Sequence, residues 1–220
     1  MKIGLSTYSM LPCINSGEMS VLDVIQWIAD NGGEHVEIVP FGYKLVDNDS
    51  LIEAIRKKAE DVGVEISNYA ILANLIQEDE EAYENEVKRL MMEVDIANKL
   101  GVKKMRHDVS AFRRPANQNT IIHYKKDLPK MVKACQRIAD YAAQYGITTT
   151  VENHGFYVNG SDRVIELVNE VNRDNYRMTL DVGNFLCVDE DAVVGVKKCL
   201  PYAVMIHLKD FYYRPSYHNP

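Results

Sequence analysis

Strand-like and helix-like patterns alternate seven times along this chain at a spacing of roughly thirty residues, and that alternation restricts the fold more than any single motif. A strand, an amphipathic helix and a second strand bring the chain back to the same sheet edge, so the strands run parallel. Lys2 to Tyr8 reads as the first strand, followed by the helical stripe Val21, Val24, Ile25 and Ile28, capped by Ser20 and stopped at Gly32-Gly33. His35 to Val39 is the second strand, Val64 to Ile71 the third and Val102 to Asp108 the fourth. The helices between them carry Ile52, Ile55, Ala59 and Val62, then Tyr83, Val87, Leu90, Val94 and Ala97. In the next helical pattern, Leu128 to Ala142, Pro129 is expected in the first turn, with a separate shorter turn before it. Ser161 is expected to cap a fifth helix, and a shorter one spans Ala192 to Lys198.

Two architectures satisfy this order: a doubly wound open sheet and an α/β barrel of the TIM (β/α)8 type. Ser6-Thr7-Tyr8-Ser9 stands after the first strand, where a dinucleotide-binding fold would carry a glycine-rich loop, so the barrel is preferred. With 220 residues and 46% hydrophobic content, residues 1–220 are expected to form one domain. The net charge of −7, with no basic cluster beyond the pairs Lys103-Lys104 and Arg113-Arg114, argues against nucleic acid and against an anionic membrane surface as partners. Cys13, Cys135, Cys187 and Cys199 are scattered without Cys-x-x-Cys spacing, which suits a reducing compartment. Neither a signal peptide nor a membrane span is legible, and cytoplasmic residence is the expectation.

The last three strand patterns each end in a metal-ligand type of residue. Thr148 to Glu152, Met178 to Asp181 and Val204 to His207 give way to Gly-rich or polar loops at that point. Any one of these residues alone would read as a cap, a surface carboxylate or a satisfied core histidine. Three in the same position on successive parallel strands share one edge and suit a divalent cation. Alternation along a strand puts Thr150 with Glu152, Thr179 with Asp181, and Met205 and Lys209 with His207 on the inward face.

The segments Val-Glu-Asn-His-Gly at Val151 to Gly155, Leu-Asp-Val-Gly-Asn at Leu180 to Asn184 and His-Leu-Lys-Asp at His207 to Asp210 resemble the xylose isomerase-like barrel superfamily. That group includes sugar and sugar-phosphate isomerases and epimerases and the endonuclease IV type of repair enzyme. The resemblance implies metal ligands from strands five, six, seven and eight, the first three falling on Glu152, Asp181 and His207. It implies one divalent metal ion, with Mn, Mg, Co and Zn all compatible, and Glu152 as both ligand and catalytic base. The fourth ligand, a strand-eight Glu, has no counterpart here. The eighth strand itself is expected to be missing, so the domain reads as C-terminally incomplete. Either a gap between the first and seventh strands or its filling by further residues or a second copy in a homo-oligomer is expected.

The implied activity is metal-dependent isomerisation or epimerisation of a sugar or sugar phosphate, a role in carbohydrate metabolism. Substrate contacts are expected from Tyr8, Glu37, His154, Asn184 and Lys209, and from whichever of the adjacent Arg106 and His107 points inward. An Arg there would favour a phosphorylated or acidic substrate, a His a neutral sugar. The alternatives are phosphodiester hydrolysis in the endonuclease IV manner, which would need a histidine where Asn184 stands, and a non-catalytic sugar-binding barrel.

Overall fold

The computed structural model describes residues 1–212; the stretch from Tyr213 to Pro220, which enters the missing-strand expectation, lies outside the described residues. Seven strands run parallel in sequence order: β1 (Gly4–Ser6), β2 (His35–Ile38), β3 (Glu65–Ile71), β4 (Lys104–His107), β5 (Thr148–Glu152), β6 (Tyr176–Asp181) and β7 (Ala203–His207). Helices α1 (Leu11–Ser16), α2 (Val21–Asp30), α3 (Asp49–Val62), α4 (Glu80–Leu100), α5 (Ile121–Ala143), α6 (Ser161–Val171) and α7 (Ala192–Cys199) provide the crossovers. The sheet curls into a TIM-type barrel in which, among the described residues, β1 pairs only with β2 and β7 only with β6. Among the described residues no eighth strand stands between β1 and β7, where the gap is expected.

Alternation along the strands separates two layers. Val151, Met178 and Leu180 point outward into the shell shared with Leu128, Met131, Val164 and Leu167. Thr150 and Thr179 point inward, their hydroxyl oxygens 2.8 Å apart, directly beneath Glu152 and Asp181. The ladder slips at Val36/Glu37 and again at Met178/Thr179, just ahead of two inward carboxylates. Such irregularities re-aim the following side chain.

Three local expectations are corrected. Helix α5 runs unbroken from Ile121 with Pro129 inside it, because Thr120 caps it by accepting a hydrogen bond from the His123 amide. Proline removes one amide donor from the helix, and the flanking turns and the buried face of Tyr124, Leu128 and Met131 carry it through. Ser161 is not the cap of α6 but its first residue, with Gly160 before it; the Ser161 hydroxyl and amide are both taken by the Glu190 carboxylate. The first strand ends at Ser6, where Thr7–Met10 turn into a 3-10 helix leading to α1. Among the described residues no helix is long and apolar enough to cross a membrane.

Candidate metal centre

Glu152, Asp181 and His207 end three adjacent strands, and one ligand atom from each lies within 4.8 Å of the other two. The register explains why: Asp181 is the direct partner of His207, and Glu152 is the partner of Thr179, one inward step before Asp181. Asp181 is held on one carboxylate oxygen and Glu152 on both. Asp181 Oδ1 accepts from the backbone amides of Gly183 and Asn184, both at 2.8 Å. Its backbone is clamped to the neighbouring strand by Asn153, whose side chain donates to the Asp181 carbonyl and accepts from the Asp181 amide at 2.8 Å each. Glu152 Oε2 sits 2.8 Å from Arg106 Nε, while Oε1 accepts from Asn184 Nδ2 at 3.3 Å and faces His207 Nδ1 at 3.4 Å. Two carboxylates and an imidazole nitrogen, gathered at a cavity, are a donor set that fits a divalent ion.

Parity leaves the choice between Arg106 and His107 open, and the structure places Arg106 inward. Its guanidinium bridges Glu152 and, at 2.8 Å, Asp108, and also donates to the Ile71 carbonyl at 3.2 Å. His107 turns the other way, wholly buried behind the sheet with its ring 6.2 Å from that of Tyr176, and does not line the cavity. Asp108 is a participant that strand-end reading does not single out, although its parity with Arg106 is a usable signal. Its Oδ1 also lies 3.1 Å from His154 Nδ1, so His154 is held at the cavity wall with Phe112 against its ring.

The remaining expected residues are brought to the same place, apart from Tyr8. Lys209 donates to Asn184 Oδ1 at 2.8 Å, linking it through that amide to Glu152. Gly183 admits this arrangement because a Cβ there would stand 2.5 Å from the Lys209 carbonyl oxygen. Glu37 is buried at the end of β2, 2.9 Å from His207 Nε2. Tyr8, carried off the strand by the 3-10 turn, is exposed at the cavity rim with its edge on Phe41. The cavity has a volume of about 1390 Å³ and runs from this cluster into the gap between β1 and β7.

Charges set the protonation states of the metal-free centre. Burial alone would raise the Glu152 pKa, but the Arg106 and His207 charges and the His207 hydrogen bond outweigh it and hold the group at about 2. Burial disfavours the charged form of His207, yet hydrogen bonds and charges from Glu152 and Glu37 raise it to about 10. Asp181 is raised, first by burial and then by the Glu152 charge. A cation beside Glu152 and Asp181 relieves that repulsion, a role His207 fills through its own proton in the metal-free chain.

The sequence matches the xylose isomerase-like TIM barrel family over residues 25–219. No curated protein matches it. Among solved structures, the probable 3-DHS dehydratase AsbF of Bacillus anthracis is 19% identical, with a TM-score of 0.75 over 94% of this chain and 72% of that one. A D-psicose 3-epimerase determined in the presence of D-fructose has the same identity, coverage and TM-score. A xylose isomerase-like TIM barrel protein from Mycobacterium smegmatis in complex with magnesium is 18% identical over 94% of this chain and 74% of that one, with a TM-score of 0.70. At these identities the likeness is one of fold, and the strand order, inward strand ends and family match agree. This chain belongs to the xylose isomerase-like TIM barrel family.

Proposed function

We propose that this chain is a metal-dependent isomerase or epimerase of a sugar or sugar phosphate, with Glu152, Asp181 and His207 holding one divalent ion drawn from Mn, Mg, Co or Zn. The observation that carries the reading is the approach of those three ligand atoms at the cavity floor. A divalent ion held there would supply electrostatic stabilisation to the carbonyl and hydroxyl oxygens of the two carbons between which hydrogen moves. The sugar epimerase and the magnesium complex among the structural neighbours support the same reading.

The chain's own residues divide the remaining work. Glu152 is ionised at neutral pH and faces the cavity, placed to take the proton next to the substrate carbonyl. His154, oriented by Asp108, and Lys209, tied to Asn184, offer hydrogen bonds to substrate hydroxyls. Tyr8 lines the rim. Arg106 is 6% exposed, paired with Glu152 and Asp108 and bonded to the Ile71 carbonyl, which supports an uncharged sugar group over a phosphate at this end of the cavity. Asn184, where a phosphodiesterase of this fold would need histidine, is engaged by Glu152 and Lys209, and this weighs against the hydrolytic alternative.

A second reading follows from the ion pair of Glu152 with Arg106. A carboxylate paired with a guanidinium at 2.8 Å and committed to a cation is a weak base toward carbon, which suits a hydride shift in which Glu152 is a ligand only. Assay of the chain with each of the four metals across a panel of ketoses and aldoses, run in D2O, tests both. Turnover with deuterium at the transferred position supports proton transfer, and turnover without it supports the shift. Absence of turnover with every metal would reject the enzyme reading and leave the sugar-binding alternative, and turnover unaffected by Asp181→Ala would reject this metal centre as the seat of the activity.

A further inference from the structure

We propose that Glu37 is a positioning residue for the metal centre: it accepts the hydrogen bond of His207 Nε2–H and thereby presents the lone pair of Nδ1 toward Glu152 and Asp181. The inference rests on the metal-site reading above and names a residue outside the ligand set.

A neutral imidazole carries one N–H, and only the other nitrogen can bind a cation. Which nitrogen that is depends on where an acceptor waits. Here the two nitrogens face different groups. Nε2 is 2.9 Å from Glu37 Oε2, and Nδ1 is 3.4 Å from Glu152 Oε1, on the side of the three-ligand cluster. Glu37 touches that cluster through His207.

The acceptor is itself fixed. Glu37 is 2% exposed, and its Oε2 also accepts from Asn68 Nδ2 at 2.8 Å. Glu37 and Asn68 are direct partners across β2 and β3, and the slip at Val36/Glu37 precedes the carboxylate. Alternative acceptors are already engaged: Glu152 Oε2 by Arg106 and Asp181 Oδ1 by two backbone amides. His207 needs such a partner because its strand is hydrogen-bonded on one side only among the described residues, so the ladder alone does not fix the ring. The contact joins β2 to β7 across a separation of 170 positions in sequence.

The test uses the whole chain, Zn²⁺ as a diamagnetic probe and ¹⁵N-labelled histidine, with His207→Gln to assign the His207 signals. In the zinc-loaded wild type, long-range ¹H–¹⁵N spectra are expected to show His207 protonated at Nε2 and zinc-bound at Nδ1. Glu37→Leu is expected to weaken Zn²⁺ binding roughly 10–100-fold in calorimetric titration. Glu37→Gln, whose amide oxygen still accepts, should fall within a few-fold of wild type and keep the tautomer. Zinc on Nε2, or unchanged affinity in a folded Glu37→Leu chain, would overturn the proposal. Should Glu37→Leu fail to fold by circular dichroism, the wild-type spectrum and Glu37→Gln decide. A wild type that takes up no Zn²⁺ would instead reject the metal centre itself, and the positioning role with it.

Discussion

The two carboxylates and the imidazole of the candidate centre stand on differently built strands. Strands β5 and β6 are paired on both sides, and from Thr149 to Glu152 and from Met178 to Asp181 every residue is buried. Strand β7 is paired only with β6 among the described residues, and its Val204 and Ile206 face outward, exposed. The contrast is sharpest between register partners: Leu180 is 0% exposed and Ile206, directly beside it, is 41% exposed. The difference teaches where positional precision comes from. Glu152 and Asp181 are placed by backbone ladders, a strand-end amide clamp and packed helices. His207 is placed by side-chain contacts to Glu37 and Glu152, groups whose charge and protonation change with conditions.

The largest expected effect tests the ladder-held side. Glu152→Gln keeps the shape and a weakly coordinating oxygen but cannot accept a proton, so turnover should fall about 10²–10⁴-fold if Glu152 is the base. Steady-state kinetics against an unchanged circular dichroism spectrum measures it; a loss of only a few-fold would leave Glu152 as a ligand alone. Next comes Arg106→Leu, which strands Glu152 and Asp108 without their shared cation in a buried site. Breaking such a pair from one side should destabilise the chain by about 3–5 kcal/mol, read from urea unfolding.

The register partners give a direct comparison of the two strands. Leu180→Ala should cost about 2–5 kcal/mol, because it opens a cavity in a sealed layer. Ile206→Ala should cost about 1 kcal/mol or less, since much of that side chain never left water. Equal costs would mean that Ile206 is covered in solution and that the β7 edge is not open. The smallest expected effect is the pH dependence of metal-free stability. The folded His207 pKa lies above its ordinary 6.5, so its contribution is complete below 6.5 and lost as pH rises through about 10. The folded Glu152 pKa lies below its ordinary 4.5, so its contribution is present above 4.5 and lost as pH falls toward about 2. Melting temperatures of the metal-free chain should therefore be highest between about pH 4.5 and 6.5 where these two groups dominate, and His207→Gln should remove the alkaline decline.

Much of this protein is written in local periodicity. The period-two and period-3.6 runs, the glycines that stop helices and the parallel order they force are read without coordinates, and they place Glu152, Asp181 and His207 at equivalent strand ends. That legibility has a physical cause: side-chain direction along a strand or helix depends on near neighbours in sequence. What the tertiary structure decided depends on distant segments. Arg106 rather than His107 turns inward because β4 enters the barrel with that parity and finds Glu152 waiting on β5. Tyr8 leaves the strand because Thr7 bonds across to the Val39 backbone and the chain turns there. Glu37 meets His207 only because a curling sheet of seven strands brings a side chain of its second member to one of its seventh. Sequence spacing carries no trace of that meeting, since nothing in the chain between them, a separation of 170 positions, depends on it until the barrel forms.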